Sequence, residues 1–281
     1  MIRGLVAKMS DNKHTLRILH AGALRKPIKE ISHMLMDICP GIKIDLDYAG
    51  SRSCAYAVLD GDDVDIIALA DPHIFEELLV PHHVEVFFVF ATDQIVIAFD
   101  EFSKHSSIIN KDNWPAILTK RRVTFGRSDE NLDPCGYRTL MVWQLAENHY
   151  NIPGLYSDLN QKCSKEFIYP KSIDLAGALL EGRLDYTFIY RSVAKQFGSQ
   201  YIALPSRINL SNPIYADKYK TTVVKIRNKA GDISQITGAP IEFAVAIPKK
   251  SKNIELARKF IDILIGMQGE QVLEKCGLIP C

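Results

Sequence analysis

Apolar residues recur along this chain at two spacings, which alternate from residue 15 onward. Runs of consecutive or alternating apolar residues predict strands, whereas apolar residues three and four positions apart predict helices. The predicted strands cover 15–20, 42–48, 64–70, 122–126, 185–190 and 241–247. One predicted helix begins at Pro27, and the others cover 52–59, 137–149, 174–180, 192–197 and 254 to about 275. This alternation predicts the α/β class, with parallel strands and crossover helices.

The most apolar stretch, 84–99, is interrupted by Thr92, Asp93 and Gln94. A helix needs about 18 to 20 apolar residues to span a bilayer, so the sequence predicts no membrane span. The first 14 residues contain a short apolar segment and then become polar and basic, which predicts no secretory signal in this sequence. Either a signal was removed or the protein stays inside the cell.

Composition narrows the class of protein and of partner. The chain has 281 residues, of which 47% are hydrophobic and 24% are charged, as expected for one large or two medium globular domains. This composition excludes disordered and fibrous architectures. A net charge of +1 provides no global field that would attract nucleic acid or a membrane surface. We therefore expect a small ligand that is recognised by local geometry.

The cysteines do not form a recognisable metal site. They are scattered, without a Cys-x-x-Cys pair or a Cys/His cluster at zinc spacing. Their even number allows disulfides, but a chain of this length does not need them for a core, and buried free thiols are the expected state. The positions are Cys39, Cys54, Cys135, Cys163, Cys276 and Cys281.

Three turns combine small residues with the start of a helix. They are His20-Ala21-Gly22-Ala23, Ala49-Gly50-Ser51 and Asp133-Pro134-Cys135-Gly136. Small residues leave the first N–H groups of the following helix accessible, and these donors at the positive helix end can bind an anion. Ser51 adds a hydroxyl donor. Because small residues are also common in turns without a ligand, each turn alone leaves both interpretations open.

Seven segments carry more specific motifs. They are LHAGAL (19–24), YAGS (48–51), DIIALAD (65–71), DNWPAIL (112–118), GRSDENLDPCGYRTLMV (126–142), LDYTFIYRSVAKQ (184–196) and INLSNPIYADKY (208–219). The strings Asp-Pro-Cys-Gly-Tyr-Arg and Tyr-x-Ser-Val-Ala-x-Gln are the most specific. From about Leu16 to Gly277, the chain resembles the substrate-binding proteins of ABC importers for molybdate and tungstate, in the tungstate-type branch.

The resemblance implies an α/β, two-lobed type II periplasmic-binding-protein fold. Each lobe would be a mixed sheet flanked by helices, and two hinge strands would join the lobes. Lobe one would be discontinuous and contain residues 1–93 and 244–281, whereas lobe two would contain 94–243. The chain is expected to cross between the lobes near 91–95 and 243–246.

By the same resemblance, the protein would capture tungstate or molybdate in the interlobe cleft for delivery to a membrane ABC permease. Asp133 would be a ligand of the oxyanion's metal, and Cys135 and Leu175 would act through their backbone N–H groups. From the resemblance together with the net charge and the absence of catalytic motifs, we expect an extracytoplasmic monomer without enzymatic activity, cofactor or nucleic-acid partner. The expected oxyanion-binding residues are Ala23, Ser51, Asp133, Cys135, Leu175 and Tyr190.

Two positions depart from the family pattern. Ala23 stands where the family usually has serine, and Ile189 stands where the tungstate branch has a second carboxylate that completes six-coordination of the metal. Asp133 is repelled by a dianion unless it binds the metal, is protonated, or instead caps the helix that starts near Tyr137. Glu242 is either a replacement for the missing carboxylate or an exposed strand residue.

Other interpretations stay open. The missing signal and Ala23 suggest a cytoplasmic oxyanion sensor with the same fold, and sulfate or phosphate is an alternative ligand. A hydrolase would use Ser51 with His20, but no triad spacing is recognisable. His20 is a candidate anion donor or a packed histidine. Arg138 and Arg191 either attract anions toward the cleft or form surface ion pairs.

Overall fold

The chain forms two mixed β-sheets and a separate hairpin, and the computed structural model describes residues 15–281. The strands are β1 (Thr15–Ala21), β2 (Lys43–Ala49), β3 (Ile66–Leu69), β4 (Val84–Thr92), β5 (Ile95–Phe99), β6 (Phe125–Ser128), β7 (Ile168–Tyr169), β8 (Tyr186–Tyr190), β9 (Gln200–Ala203), β10 (Val223–Arg227), β11 (Ile233–Thr237), β12 (Glu242–Pro248) and β13 (Ile279–Pro280).

Helices cover both sheets. The α-helices are α1 (Arg25–Ile38), α2 (Ser51–Asp60), α3 (Pro72–Ile74), α4 (Trp114–Leu118), α5 (Pro134–Tyr150), α6 (Leu155–Lys162), α7 (Ser172–Leu180), α8 (Arg191–Phe197), α9 (Ala216–Tyr219), α10 (Ile254–Ile265) and α11 (Met267–Lys275). Short 3₁₀-helices cover Gly22–Leu24, Lys165–Phe167 and Pro213–Tyr215, and α3 continues as a π-helical turn over Phe75–Leu79.

The spatial order of strands is β13-β4-β12-β3-β1-β2 in the first sheet and β7-β6-β8-β5-β9 in the second. β1 is parallel to β2 and β3, and β6 is parallel to β7 and β8. β12 is antiparallel to β3 and β4, and β5 is antiparallel to β8 and β9. The predicted α/β fold with two lobes of mixed sheet is confirmed. β5 and β12, which each follow a change of sheet, run antiparallel to both of their neighbours.

Aromatic packing fixes β8 in the second lobe. Every residue of β8 is buried, and Phe188 packs edge to face against Trp114 and Trp143, with ring centroids 5.6 and 5.4 Å apart. Such aromatic pairs contribute about 0.5 to 1.5 kcal/mol each beyond the area that they bury. This packing also fixes Tyr190, the last residue of the strand.

The prediction of one helix from 254 to about 275 is wrong, because the structure has two helices, α10 and α11, in this region. Gly266 separates them in an extended conformation, with φ −86° and ψ 171°. A Cβ atom on Gly269 would lie 2.2 Å from the carbonyl oxygens of Ile263 and Leu264, so glycine is required where α11 starts so close to the end of α10. Apolar residues continue at helical spacing past the break, so the sequence pattern gives no sign of it.

Residues 93 and 94 connect β4 of the first sheet to β5 of the second. Asp93 is fully buried at this link, and its carboxylate accepts hydrogen bonds from the N–H groups of Gln94 at 2.7 Å and Ser192 at 3.3 Å. The chain returns to the first sheet where β12 begins, at Glu242, next to the crossing expected near 243–246. The limits 93/94 and 243/244 of the lobes stay a prediction.

The expectation about a secretory signal falls on residues 1–14, which lie outside the described residues. Between residues 15 and 281, no helix is long and apolar enough to cross a bilayer. The cysteines in this part of the chain are all free. Four of them are buried, as predicted, whereas Cys39 is half-buried and Cys281 is exposed.

Replacement of Asp93 by asparagine is expected to change the pH dependence of stability. Burial raises the pKa of the Asp93 carboxyl from 3.8 to about 6, so the folded chain keeps a proton that the unfolded chain releases. This group therefore lowers the free energy of unfolding as the pH rises from about 4 to about 6, by about 3 kcal/mol in total. Asp93→Asn should remove that decline, and urea unfolding across this pH range measures it.

The exposed Asp112 provides the control, since Asp112→Asn also removes one carboxylate but should keep the decline that Asp93 causes. Burial lowers the pKa of His20 to about 4, so His20 contributes the opposite slope over the same range in all three proteins. Their comparison therefore isolates Asp93. Identical profiles for the wild type and Asp93→Asn would contradict the assignment.

Candidate functional site

Ser51 is the first residue of α2 and is completely buried. Gly50, in an extended conformation, separates the end of β2 from the start of this helix. The hydroxyl oxygen of Ser51 accepts a hydrogen bond from the Ala70 N–H at 3.0 Å. A hydroxyl that accepts in this way keeps its own proton for another acceptor. Ser51 therefore provides an O–H donor at the amino end of a helix.

The two lobes meet by backbone contact at Gly50. A Cβ atom on Gly50 would lie 2.4 Å from the carbonyl oxygen of Leu132 and 3.3 Å from that of Pro170, both in the second lobe. Next to it, the Arg52 N–H donates to the Leu132 carbonyl at 3.2 Å. Only glycine lets the amino end of α2 approach the second lobe this closely.

Asp133 joins the amino ends of α5 and α7. Its Oδ1 accepts the N–H of Cys135, in the first turn of α5, at 3.2 Å, and its Oδ2 accepts the N–H of Ser172, the first residue of α7, at 2.6 Å. The carboxylate is buried, which raises its pKa, while the two N–H donors act in the opposite direction. Of the three roles considered for Asp133, helix capping is the one that its contacts display.

Tyr190 lies at the end of β8 and is fully buried. Its hydroxyl oxygen accepts a hydrogen bond from Nη1 of Arg138 at 2.9 Å. The same nitrogen donates to the carbonyl oxygen of Ala70 in the first lobe, and Nη2 lies 3.4 Å from Oδ2 of Asp71. Hydrogen bonds thus connect Tyr190 through Arg138 and Ala70 to the hydroxyl of Ser51.

Ala23 is buried in the short 3₁₀-helix that leads into α1. Its carbonyl oxygen accepts a hydrogen bond from Nε2 of Gln196 in the second lobe at 2.9 Å. The preceding Gly22 also faces the second lobe, since a Cβ atom on it would lie 3.3 Å from Ile173 at the start of α7. The structure thus brings the Ala23 turn and the amino end of α7 together.

The predicted backbone donors Cys135 and Leu175 occupy different positions in their helices. The Cys135 N–H is already bonded to Asp133. Leu175 is the fourth residue of α7, where helix geometry directs the N–H to the carbonyl of Lys171. In α7, the same geometry leaves the N–H of Ile173 without an intrahelical partner.

Ile189 and Glu242, the two positions considered for a second carboxylate, differ in their surroundings. Ile189 is buried in β8 and, by the alternation of a strand, points to the face opposite Tyr190. Glu242 is half-buried rather than exposed, and burial raises the pKa of its carboxyl. It lines a cavity of about 340 Å³ together with Asp71 and Arg138. Glu242 therefore shares this cavity with the Arg138–Asp71 pair.

His20, Arg138 and Arg191 have partners within the protein. His20 is buried, its Nδ1 lies 2.8 Å from the Ala21 carbonyl oxygen, and its ring stacks on Tyr48, which makes it the packed histidine considered above. Arg191 donates from Nε and Nη2 to the Gly277 carbonyl, at 3.1 and 2.8 Å. Arg138 is buried, so its ion pair with Asp71 is not the surface ion pair considered as an alternative.

Three interlobe contacts involve residues that the sequence analysis did not single out. The Tyr137 hydroxyl donates to Asp71, and the side chain of Gln196 bridges the Ala23 carbonyl and the Lys26 N–H, at 2.9 and 3.3 Å. Tyr137 lies in the string Asp-Pro-Cys-Gly-Tyr-Arg and Gln196 lies in Tyr-x-Ser-Val-Ala-x-Gln, the two most specific strings in the sequence. Their place in these strings is the sequence signal that could have indicated a functional role for both residues.

A family model for bacterial extracellular solute-binding proteins matches residues 16–279. The chain belongs to this family. It is 37% identical to an uncharacterized solute-binding protein of Petrotoga mobilis, over 98% of this chain and 86% of that one. It is also 35% identical to the molybdate/tungstate-binding protein WtpA of Pyrococcus abyssi, over 92% of this chain and 83% of that one.

Among solved structures, the periplasmic molybdate-binding protein of Azotobacter vinelandii superposes with a TM-score of 0.66 at 14% identity. The superposition covers 94% of this chain and 98% of that chain. At this identity the likeness concerns the fold alone. It confirms the predicted two-lobed type II periplasmic-binding-protein fold.

Substitution of Gly50 by alanine is expected to open the interlobe contact without unfolding α2. The backbone of Gly50 has φ −62°, which alanine adopts, but the added Cβ would meet the Leu132 carbonyl at 2.4 Å. The Arg52 amide, which donates to that carbonyl, should then exchange with deuterium faster. The Cys54 amide, which donates to the Gly50 carbonyl within the helix at 2.9 Å, should stay protected.

Gly177→Ala in α7 is the matched control. A Cβ atom there meets nothing within 4 Å, so this variant should keep the wild-type exchange rate at Arg52 and gain about 0.5 to 1 kcal/mol of stability. An unchanged Arg52 exchange rate in Gly50→Ala would show that the contact does not hold the lobes together.

Proposed function

We propose that this protein binds a tetrahedral oxyanion, molybdate or tungstate, between its lobes and delivers it to a membrane ABC permease. The observation that carries the proposal is the meeting of helix amino ends at the interlobe contact. α2 approaches from the first lobe, and α5 and α7 lie in the second lobe, joined by Asp133. Each helix end carries about half a positive charge, so their meeting favours an anion in the cleft.

Buried hydroxyl groups add direct donors to this positive environment. The Ser51 and Tyr190 oxygens each accept a hydrogen bond from the protein, so the proton of each hydroxyl is available to an acceptor-only ligand. An oxyanion is such a ligand. The proposal agrees with the printed name of the Pyrococcus abyssi relative, a molybdate/tungstate-binding protein.

The proposed binding set keeps the residues given by the resemblance. Ser51 and Tyr190 would donate through their hydroxyls, and Ala23 would offer its backbone N–H at its turn. The Cys135 N–H is bonded to Asp133, so Cys135 would line the site at the start of α5. Because Leu175 is the fourth residue of α7, we propose that this helix contributes the N–H of Ile173 and its dipole, with Leu175 shaping the pocket. The proposed oxyanion-binding residues are Ala23, Ser51, Asp133, Cys135, Leu175 and Tyr190.

Asp133 is proposed to ligate the metal of the bound oxyanion. Its oxygens each accept one N–H, and a carboxylate oxygen has a second lone pair that can bind a further partner. With Ile189 in place of a second carboxylate, we propose that Asp133 is the single carboxylate ligand from this region.

Binding rather than catalysis fits the site, and the family is one of extracellular solute-binding proteins. We propose that the protein acts outside the cytoplasm as a monomer, without a cofactor. A Ser51–His20 hydrolase is disfavoured because His20 contacts the Ala21 carbonyl and Ser51 contacts the Ala70 N–H. No hydrogen bond links the two side chains within the described residues.

Calorimetric titration of the protein with tungstate, molybdate, sulfate and phosphate tests the ligand. Tungstate or molybdate should bind at least about tenfold more tightly than sulfate, which corresponds to about 1.4 kcal/mol. Equal or tighter binding of sulfate or phosphate would replace the proposed ligand by another oxyanion. If none of the four anions binds, the proposed function is wrong.

Ser51→Ala should weaken molybdate binding by about one to two orders of magnitude, because a hydrogen bond to a charged acceptor contributes roughly 1.5 to 3 kcal/mol. It should also lower stability, since the buried Ala70 N–H loses its acceptor. Titration at a temperature at which both proteins remain folded separates the two effects.

Ser53→Ala is the control on the same helix. Ser53 lines a different cavity, beside Tyr56 and Asp60, and its loss should leave the affinity for molybdate unchanged. If the two variants bind molybdate equally well, Ser51 does not contact the anion.

A further inference from the structure

Arg138 is a buried arginine whose hydrogen bonds run to both lobes. It projects from α5 of the second lobe and is 3% exposed. Its Nη1 donates to the Tyr190 hydroxyl oxygen in its own lobe, at 2.9 Å, and to the Ala70 carbonyl oxygen in the first lobe. Because these two acceptors lie in different lobes, this one nitrogen links the lobes across the cleft.

The hydrogens of Nη1 are fully used by these two contacts. A guanidinium Nη carries two hydrogens, and both acceptors of Nη1 are protein oxygens. Nη2 faces Oδ2 of Asp71 at 3.4 Å. An anion in the cleft therefore does not take its hydrogen bonds from Nη1.

The effect of Arg138 reaches the cleft through two hydroxyl groups. At Tyr190, the hydroxyl oxygen accepts from Arg138, so the phenolic proton must point to another acceptor. At Ser51, the hydroxyl oxygen accepts a hydrogen bond from the Ala70 N–H. The carbonyl of the same residue, Ala70, accepts a hydrogen bond from Arg138. Both hydroxyls are therefore oriented as donors by the same chain of hydrogen bonds.

We propose that Arg138 is a positioning residue that orients the Ser51 and Tyr190 hydroxyls as donors to the bound oxyanion. This inference rests on the proposed function. It makes the donor state of the site depend on contact between the lobes, because Ala70 and Tyr190 come from different lobes. The competing explanation is that Arg138 only neutralises Asp71 and stabilises the fold.

A set of mutant cycles with molybdate distinguishes the two roles. Arg138→Lys is made in the wild type, in Tyr190→Phe, in Ser51→Ala and in the double variant Ser51→Ala/Tyr190→Phe. In the wild type it should weaken molybdate binding about tenfold. In the double variant, which lacks both hydroxyls, the same change should weaken binding less than about twofold. Calorimetry gives the affinities, and thermal unfolding of each protein gives its stability.

Arg127 provides a matched control. It is a second buried arginine of the same lobe and donates from Nη1 to a backbone carbonyl, that of Ser128, and to a carboxylate, that of Glu130. Arg127→Lys should affect stability to a similar extent. Its effect on molybdate affinity should stay within about twofold in every background.

A second variant covers the possibility that Arg138→Lys does not fold. Arg138→Gln combined with Asp71→Asn removes both members of the ion pair and leaves no unpaired buried charge. This double substitution should likewise weaken molybdate binding more in the wild type than in the variant that lacks both hydroxyls.

An equal loss of affinity in all four backgrounds would overturn the positioning role, because a structural residue acts whether or not the hydroxyls are present. If the wild type binds molybdate and the losses are equal, only this inference fails. If the wild type binds no oxyanion, the proposed function and the inference fail together.

Discussion

The site depends on the carboxylate of Asp133, which joins the amino ends of two helices. One oxygen holds the first turn of α5 and the other holds the first residue of α7. Without this acceptor, buried N–H groups at both ends would be unsatisfied, and each would cost about 1 to 3 kcal/mol. Asp133 therefore fixes where two positive helix ends lie, and the Leu132 carbonyl beside it receives α2 from the other lobe. One side chain thus defines the second-lobe wall of the cleft.

Burial of Arg138 adds a second constraint. A buried guanidinium is costly to desolvate unless its donors are satisfied, and Arg138 finds two of its partners, Ala70 and Asp71, on the opposite lobe. Separation of the lobes would remove those partners and expose the charge to water. The contact seen at Gly50 is therefore coupled to the state of Arg138, and through Tyr190 and Ser51 to the hydroxyls of the site.

Much of this architecture could be predicted from the sequence, because strands and turns leave local signals. The Gly50 turn and the α2 start follow from Ala49-Gly50-Ser51, and the resemblance supplied Tyr190 and the two-lobed fold. The break at Gly266 was missed because apolar spacing continues across it, and only the approach of Gly269 to α10 makes it necessary. The links from Arg138 to Ala70 and from Gln196 to Ala23 join residues far apart in the chain, which no local pattern reveals.

The charges around the cleft restrict what Asp133 does when an oxyanion is present. Three helix ends, at about half a positive charge each, exceed the charge of the Asp133 carboxylate by only about half a unit, while Arg138 and Asp71 compensate each other. A dianion would make this buried space strongly negative, and in a low dielectric such repulsion is large. Capping alone therefore does not reconcile an ionised Asp133 with a bound dianion. A second interaction must arrive with the ligand: either a proton, which burial favours by raising the pKa of Asp133, or a bond from its oxygen to the metal of the oxyanion.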